Sequence, residues 1–165
     1  MRVVVDSTAI SIVPADERHL EAIMAVMHAA FDPMFGEAWS ATQVAATLVM
    51  PGSWGRLALI GGQAVGFTLC RAAGPEVELL LVAVAPASRR QGAGGRLLLR
   101  AQEDALARGA SELFLEVRED NHAARQLYAT RGFAEVGQRP DYYTGTDGSR
   151  RAAITMRFAL SDLLG

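Results

Sequence analysis

A stretch near the middle of the chain, residues 82–99, constrains the fold more than any other part of this 165-residue sequence. An apolar strand ends there, a turn with two arginines and three glycines follows, and a helix begins after the turn. Such a turn presents backbone N–H groups and the positive end of a helix dipole to an anion. A plain tight turn is the alternative, because glycine-rich helix starts are common in α/β proteins.

Two common phosphate-binding motifs are excluded at this turn. A P-loop requires a lysine that reaches the terminal phosphates, whereas all 16 basic residues of this chain are arginine. A dinucleotide fingerprint requires Gly-x-Gly-x-x-Gly or Ala, but Leu97 stands three residues after Gly94. The remaining pattern, Arg89-x-x-Gly92-x-Gly94, resembles the acyl-CoA-binding loop of the GNAT acetyltransferase superfamily.

Composition and charge exclude several other classes of protein. Half of the residues are hydrophobic, 21% are charged, and the net charge of −2 comes without a basic block that would indicate nucleic-acid binding. No apolar run approaches the roughly 18 residues of a membrane span, and residues 1–6 are too short and too soon acidic for a signal peptide. The single cysteine, Cys70, cannot form an internal disulfide. We therefore expect one cytoplasmic domain over residues 1–165, with neither nucleic acid nor membrane as a partner.

Turn and capping residues divide the chain into elements in the order βααβββαβαββ. Three capping residues predict helix starts: Asp16, Ser40 and Asn121. The pair Gly61–Gly62 predicts a two-residue hairpin turn, and the apolar run over Glu76–Val84 predicts a central strand. Residues 139–151 are polar and predict a loop before the last strand. The expected α/β fold is a mixed central sheet of about seven strands flanked by about four helices.

Glu116 is the first candidate catalytic residue, because it lies in the middle of a strand predicted over residues 111–118. Phe114, Glu116 and Arg118 face the same side of that strand. A partly desolvated carboxylate is a better proton acceptor near neutral pH, which suits a general base, whereas a structural ion pair is the alternative. Glu78, on the preceding strand, is the second candidate for the base; its alternative is contact with an arginine or with solvent.

A second group of candidates follows Asn121, which can cap a short helix. Tyr128 lies two turns further along this helix and can belong to the core, but a buried tyrosine still needs a polar site for its hydroxyl. Tyr142 and Tyr143 lie in the predicted loop, where they contact a substrate or pack over the loop.

Taken together, these motifs resemble the GNAT acetyltransferase superfamily over nearly the whole chain. Gly92 and Gly94, then Glu116 within Leu-Glu-Val-Arg, occur in the order and spacing typical of these enzymes. Asn121 follows, and Tyr128 comes four residues before a Gly-Phe pair, as the superfamily pattern requires.

More narrowly, the chain is similar to the ribosomal-protein-alanine N-acetyltransferase (RimI-like) branch, on its Leu-Glu-Val-Arg segment, its Tyr142–Tyr143 pair and its Ala-Trp39-Ser segment. Two departures from that branch stand out. Gly95 occupies a position where the branch often has arginine, so one phosphate contact is expected to be missing. Arg150 and Arg151 stand where the branch often has acidic residues, so this pair would repel a cationic N-terminus or select an acidic partner.

The resemblance implies the GNAT fold, acetyl-CoA as the acyl donor and no metal. It implies that Glu116 is the general base and that Tyr128 is the general acid for the departing thiolate. It also implies contacts with the acceptor from Trp39, Glu78, Tyr142 and Tyr143. The residues that it implies for acetyl-CoA binding are Val82, Ala83, Val84, Arg89, Arg90, Gln91, Gly92, Ala93, Gly94, Gly95 and Asn121.

For the acceptor, the resemblance implies an amine, with a protein N-terminus that begins with alanine as the first choice. A small amine such as a polyamine, an amino acid or an aminoglycoside is the alternative within the same class. A non-catalytic acyl-CoA-binding domain is the alternative from another class, but such a domain needs neither Glu116 nor Tyr128. The protein is expected to act as a monomer or a homodimer.

Overall fold

The computed structural model describes residues 8–165, which form seven strands and four α-helices. The strands are β1 (Ile10–Ala15), β2 (Ser53–Ile60), β3 (Gln63–Ala73), β4 (Glu76–Val84), β5 (Glu112–Arg118), β6 (Ala134–Thr144) and β7 (Arg150–Ala159). The α-helices are α1 (Leu20–Ala30), α2 (Ala41–Leu48), α3 (Ala93–Ala107) and α4 (His122–Thr130). Residues 1–6, on which the expectation of no signal peptide depends, lie outside the described residues.

The strands form one mixed sheet in the order β1-β2-β3-β4-β5-β7-β6, in which only β4 and β5 are parallel. Helices pack on both faces of this sheet because neighbouring residues of a strand point in opposite directions. Leu57 belongs to the apolar cluster of α1 and α2, whereas the adjacent Ala58 packs with the start of α3. The expected mixed sheet of seven strands with four helices is confirmed.

β4 and β5 separate after a short stretch of pairing. They pair over three positions, of which the last joins Glu78 to Phe114. On its other edge β4 carries one extra residue, Leu80, where its register with β3 shifts. A bulge of this kind bends a strand and increases its twist. As a result, the edge of β4 from Leu79 onward has no β5 residue to pair with, and a cleft opens between the two strands.

A buried ion pair holds α3 against the sheet. Arg56 on β2 donates from Nε and Nη2 to the two carboxylate oxygens of Asp104 on α3, at 2.9 and 2.8 Å. A two-pronged contact of this kind fixes direction as well as distance. It therefore sets the orientation of α3, whose first turn lies at the end of β4.

Local signals predicted most of the element boundaries. The Ser40 side chain accepts a hydrogen bond from the Gln43 backbone at 3.2 Å, so the predicted helix cap is confirmed. Gly61 and Gly62 have φ values of 58° and 78°, as the predicted two-residue hairpin requires. The Asn121 side chain likewise caps α4 by accepting from the Ala124 N–H.

The loop predicted over residues 139–151 is wrong. β6 and β7 continue into this segment, where Tyr143 pairs with Arg151, and only residues 145–149 form the turn. Apart from Tyr143, every residue of β6 is exposed, so the part of the strand beyond residue 138 has no apolar alternation that could reveal it in the sequence. Backbone hydrogen bonds to β7 hold β6 in place, and these do not depend on apolar side chains.

Candidate active site

The divergence of β4 and β5 opens a cavity of about 900 Å³. The cavity collects residues from β4, β5, β6 and β7, from α4 and its capping residue, and from the segment before α2. Eight residues singled out in the sequence line it together: Trp39, Glu78, Val82, Glu116, Asn121, Tyr128, Tyr142 and Tyr143. The other predicted residues, Ala83, Val84 and residues 89–95, lie further along the chain, where β4 ends and runs into the turn before α3.

Glu116 faces the cavity from β5, and its side chain is 31% exposed. The Nε of Arg139 on β6 lies 3.3 Å from Oε1 of Glu116, so the ion pair considered as an alternative is present. The Arg139 side chain is 62% exposed, and an ion pair at such a position contributes little, about 0–1 kcal/mol. Arg139 therefore partly neutralises the charge of Glu116 but does not hold its side chain firmly in one position.

Tyr128 lies at the inner wall of the cavity and is 7% exposed. Its ring packs against Phe133, with the two ring centroids 6.1 Å apart. Burial raises the pKa of the Tyr128 hydroxyl, and the carboxylate of Glu37 and the hydroxyl of Tyr143 raise it further. The phenol therefore stays protonated at neutral pH, as a proton donor must.

The structure adds a residue that the sequence analysis missed, Glu37, in the segment between α1 and α2. Its side chain is 18% exposed, lines the cavity and forms an ion pair with Arg118 at the end of β5. Burial raises the pKa of the Glu37 carboxyl, and Arg118 partly opposes that rise. The one local signal was its position two residues before Trp39, because the partner Arg118 is 81 residues away in the chain.

The ion pair of Glu37 is the first link of a longer chain of charges. Arg118 also pairs with Asp120, and the Nε of Arg151 on β7 lies 3.2 Å from Oδ2 of Asp120. The guanidinium groups of Arg118 and Arg151 lie 4.3 and 5.8 Å from the centroid of the Phe35 ring. Arg151 is thus balanced by Asp120 and does not present an unpaired charge to an acceptor.

One side of the cavity is built from two segments that touch. The backbone N–H of Thr146, in the turn between β6 and β7, donates to the carbonyl of Met34 at 2.9 Å. Tyr142 and Tyr143 stack edge to face, with ring centroids 5.1 Å apart. Burial, together with Glu37 and Glu116, raises the pKa of Tyr143 to about 12.

Negative charge predominates in the cavity. The lining contains four carboxylates, those of Glu37, Glu76, Glu78 and Glu116, and two guanidinium groups, those of Arg118 and Arg139. Glu78 also pairs across the strands with Arg71 at 2.9 Å, so the arginine-facing role considered for it is present. A cavity of this charge favours a cationic acceptor.

The turn before α3 has the features that an anion requires. Gly92 has φ +89°, no side chain caps α3, and its first turn contains no acidic residue. Arg89 donates from Nε to the Val84 carbonyl and from Nη2 to the Ala30 carbonyl, at 3.2 and 3.3 Å. This turn could hold the phosphates of acetyl-CoA, and the unpaired edge of β4 could hold its extended arm.

Residues 8–165 offer little support for a metal centre or a cysteine nucleophile. Within that range, no group of three or more His, Cys, Asp or Glu side chains is placed to hold a metal ion. Cys70 is fully buried in β3, and burial raises the pKa of its thiol, so it is not available as a nucleophile. None of the helices within residues 8–165 combines the length and the apolar character that crossing a membrane requires.

The fold and the cleft define an N-acetyltransferase that uses acetyl-CoA as its donor. A model of the Acetyltransferase (GNAT) family matches residues 21–133, and the chain belongs to this family. The resemblance inferred from the sequence motifs is therefore confirmed.

Known relatives agree with this assignment. The chain is 39% identical over 100 residues to the ribosomal protein bS18-alanine N-acetyltransferase of Escherichia coli. This alignment covers 61% of this chain and 67% of that protein. The chain is 38% identical over 96 residues to the Haemophilus ducreyi protein of the same name, which covers 58% and 66% of the two chains. The alignments thus span about two thirds of these relatives.

Solved structures extend the match to almost the whole chain. The crystal structure of the Escherichia coli ribosomal-protein-alanine N-acetyltransferase superposes with a TM-score of 0.83 at 30% identity, covering 92% of this chain and 94% of that one. An acetyltransferase from Salmonella typhimurium, solved with acetyl-CoA, superposes with a TM-score of 0.78 at 21% identity, covering 92% and 94%. At that identity, the second match shows the fold alone.

Proposed function

We propose that this protein acetylates the N-terminal α-amine of a protein whose first residue is alanine. The observation that carries the proposal is the charge of the cavity: four carboxylates and two guanidinium groups line it, and even with Arg71, which pairs with Glu78 from outside the lining, the carboxylates remain in excess. An α-amine is largely protonated near neutral pH and so reaches the cavity as a cation. The similarity to the two ribosomal protein bS18-alanine N-acetyltransferases supports alanine as the first residue.

In this proposal acetyl-CoA enters along β4. The backbone of Val82, Ala83 and Val84 pairs with the extended arm as a further strand would, because this edge has no β5 partner. The turn over residues 89–95 holds the diphosphate through backbone N–H groups. The Asn121 oxygen accepts from the Ala124 N–H, which leaves its amide NH₂ free to donate to the donor near the thioester.

The chemistry requires two proton transfers at opposite ends of the reacting group. Glu116 takes a proton from the acceptor ammonium, directly or through a water, after Arg139 moves aside. The amine nitrogen then forms a bond to the thioester carbon as the carbon–sulfur bond breaks. Tyr128 donates its proton to the departing sulfur, and the second proton of the amine returns to the tyrosine through solvent. Acetyl-CoA and the amine thus give the amide, free CoA and one proton.

Glu37, with Glu78, attracts the acceptor ammonium toward Glu116. We expect Glu37→Gln to raise KM for an alanine-first peptide about fivefold to tenfold, because it removes a partly buried charge from the acceptor side of the cavity. KM for acetyl-CoA should change less than twofold. Steady-state kinetics with each substrate varied in turn measures both values.

Glu135→Gln is a matched control for Glu37→Gln. Glu135 forms an ion pair with Arg125 outside this cavity, so its replacement removes the same charge and a comparable contact. Its KM for the peptide should remain that of the unsubstituted protein. Equal KM values in the two variants would remove Glu37 from the acceptor site and leave the other carboxylates to attract the amine.

A peptide library tests the proposed function itself. We expect peptides that begin with alanine to be acetylated at least about tenfold faster than those that begin with bulky residues, which corresponds to about 1.4 kcal/mol. Acetylation is detected as a mass increase, and CoA release is followed in parallel. Peptides with a blocked amino terminus should not react. Faster CoA release with polyamines, amino acids or aminoglycosides would contradict the proposal, as would a failure to release CoA with any amine.

A further inference from the structure

The side chain of Arg131, just after α4, lies against the first turn of α3. A Cβ built on Gly95 would come within 3.0 Å of Cζ and 3.1 Å of Nε of Arg131, and closer still to Nη2. A side chain at position 95 and the guanidinium of Arg131 therefore compete for the same space. Gly95 is buried, and the guanidinium of Arg131 lies directly over it.

The backbone of Arg131 is held in this place from two sides. The Nε2 of Gln102, a residue of α3 that is 2% exposed, donates to the Arg131 carbonyl at 2.9 Å. The next residue, Gly132, has φ +89°, and a Cβ there would come within 2.9 Å of the Phe158 ring. Leu127, one helical turn before Arg131, packs against Gly94 in the same way: a Cβ built on Gly94 would lie 3.1 Å from Cδ2 of Leu127. The backbone of Arg131 is thus fixed against α3 by packing, and its exposed side chain extends from there over Gly95.

The charge of Arg131 is in an unfavourable place for the protein on its own. The first turn of a helix carries partial positive charge from its free N–H groups, so a cation there is repelled. The first turn of α3 has no acidic residue that would offset this. No ion pair formed among residues 8–165 includes Arg131. A bound anion would offset this repulsion, because it would be attracted both to the Arg131 guanidinium and to the N–H groups of the first turn of α3.

We propose that Arg131 binds a phosphate group of acetyl-CoA, and so supplies from the end of α4 a charge that Gly95 cannot supply from α3. The inference rests on the proposed function in one respect, that acetyl-CoA binds at the turn before α3. Arg131 offers a fork of N–H donors suited to phosphate oxygens. The contact that the sequence analysis expected to be missing is then made by another element.

Calorimetric titration of the full chain with acetyl-CoA tests the proposal. We expect Arg131→Leu to raise Kd about tenfold, the effect of losing one hydrogen-bonded contact to a charged group. The salt dependence of Kd should become shallower, because one phosphate contact is lost. The double variant Arg131→Leu with Gly95→Arg should regain most of the affinity. Arg100→Leu, which removes a charge further along α3, should bind as the unsubstituted protein does.

Two further donors show which phosphate is involved. If Arg131→Leu loses affinity for both acetyl-CoA and its 3′-dephospho form, Arg131 contacts the diphosphate. If the variant loses affinity for acetyl-CoA alone, Arg131 contacts the 3′-phosphate. An equal loss with S-acetylpantetheine, which has no phosphate, would overturn the proposal, because the effect would then be structural. An unchanged Kd in Arg131→Leu would overturn it while leaving the proposed function intact. Failure of the unsubstituted protein to bind acetyl-CoA would overturn both.

Discussion

Glu116→Gln should lower kcat for an alanine-first peptide by at least about a hundredfold, because a positioned general base typically contributes a factor of about 10²–10⁴. Glutamine has nearly the same shape as glutamate but cannot accept the ammonium proton. The variant can use only amine that solvent has already deprotonated, so its rate should keep rising with pH toward the α-amine pKa of about 8. Kd for acetyl-CoA should change less than twofold. Rate measurements across pH 6–9, with a calorimetric titration, check all three.

Glu112→Gln is the matched control for Glu116→Gln. Glu112 lies on the same face of β5 and pairs with Arg157 on β7 at 3.6 Å, as Glu116 pairs with Arg139 on β6. It lies outside the cavity and should retain full activity. If Glu116→Gln keeps the pH profile of the unsubstituted protein, the base is elsewhere, and Glu78→Gln becomes the next variant to measure.

Tyr128→Phe should also lower kcat by about a hundredfold, within the range of a lost general acid. The ring remains, so its packing against Phe133 and the thermal stability should be largely preserved. The effect should fall on kcat and leave KM for acetyl-CoA within about twofold, because in the proposed mechanism the hydroxyl acts only as the sulfur departs. Steady-state kinetics and a melting curve on the same sample separate a chemical defect from a folding defect.

Tyr143→Phe is the comparison that makes the Tyr128 result specific. Tyr143 lines the same cavity and its pKa is also raised, to about 12, so it is the other phenol within reach. We expect its replacement to affect KM for the peptide more than kcat, because we place it on the acceptor side. A large kcat defect in Tyr143→Phe with a near-normal Tyr128→Phe would transfer the role of general acid to Tyr143.

Much of the fold could be predicted, because residues close in the chain determine where many of its helices and strands begin and end. Ser40 and Asn121 cap helices through bonds to residues three positions away, and Gly61–Gly62 turns the chain by its own backbone freedom. The start of β6 was predicted, but its continuation beyond residue 138 could not be, because the side chains there are almost all exposed and only the pairing with β7 defines the strand. A strand that contributes no apolar face leaves no pattern in the sequence.

Some residues of the candidate site could likewise be predicted from local sequence, and others could not. Glu116 and Tyr128 are visible in the sequence because each lies within an apolar strand or helix with characteristic neighbours. Glu37 is not visible, since its burial and its raised pKa arise only when the segment before α2 meets the end of β5. Arg131 is hidden for the same reason, because only the packing of α4 on α3 brings it to Gly95.

The cations that line the cleft or neutralise its carboxylates are all guanidinium groups, those of Arg71, Arg118 and Arg139. A guanidinium keeps its proton at any physiological pH and is a poor nucleophile toward a thioester. A lysine at any of these positions would bring a competing primary amine close to the acetyl group, and the chain contains none. The enzyme thus uses positive charge for structure without offering a lysine amine as a target, and acetylation of its own lysine side chains is excluded by the composition of this chain.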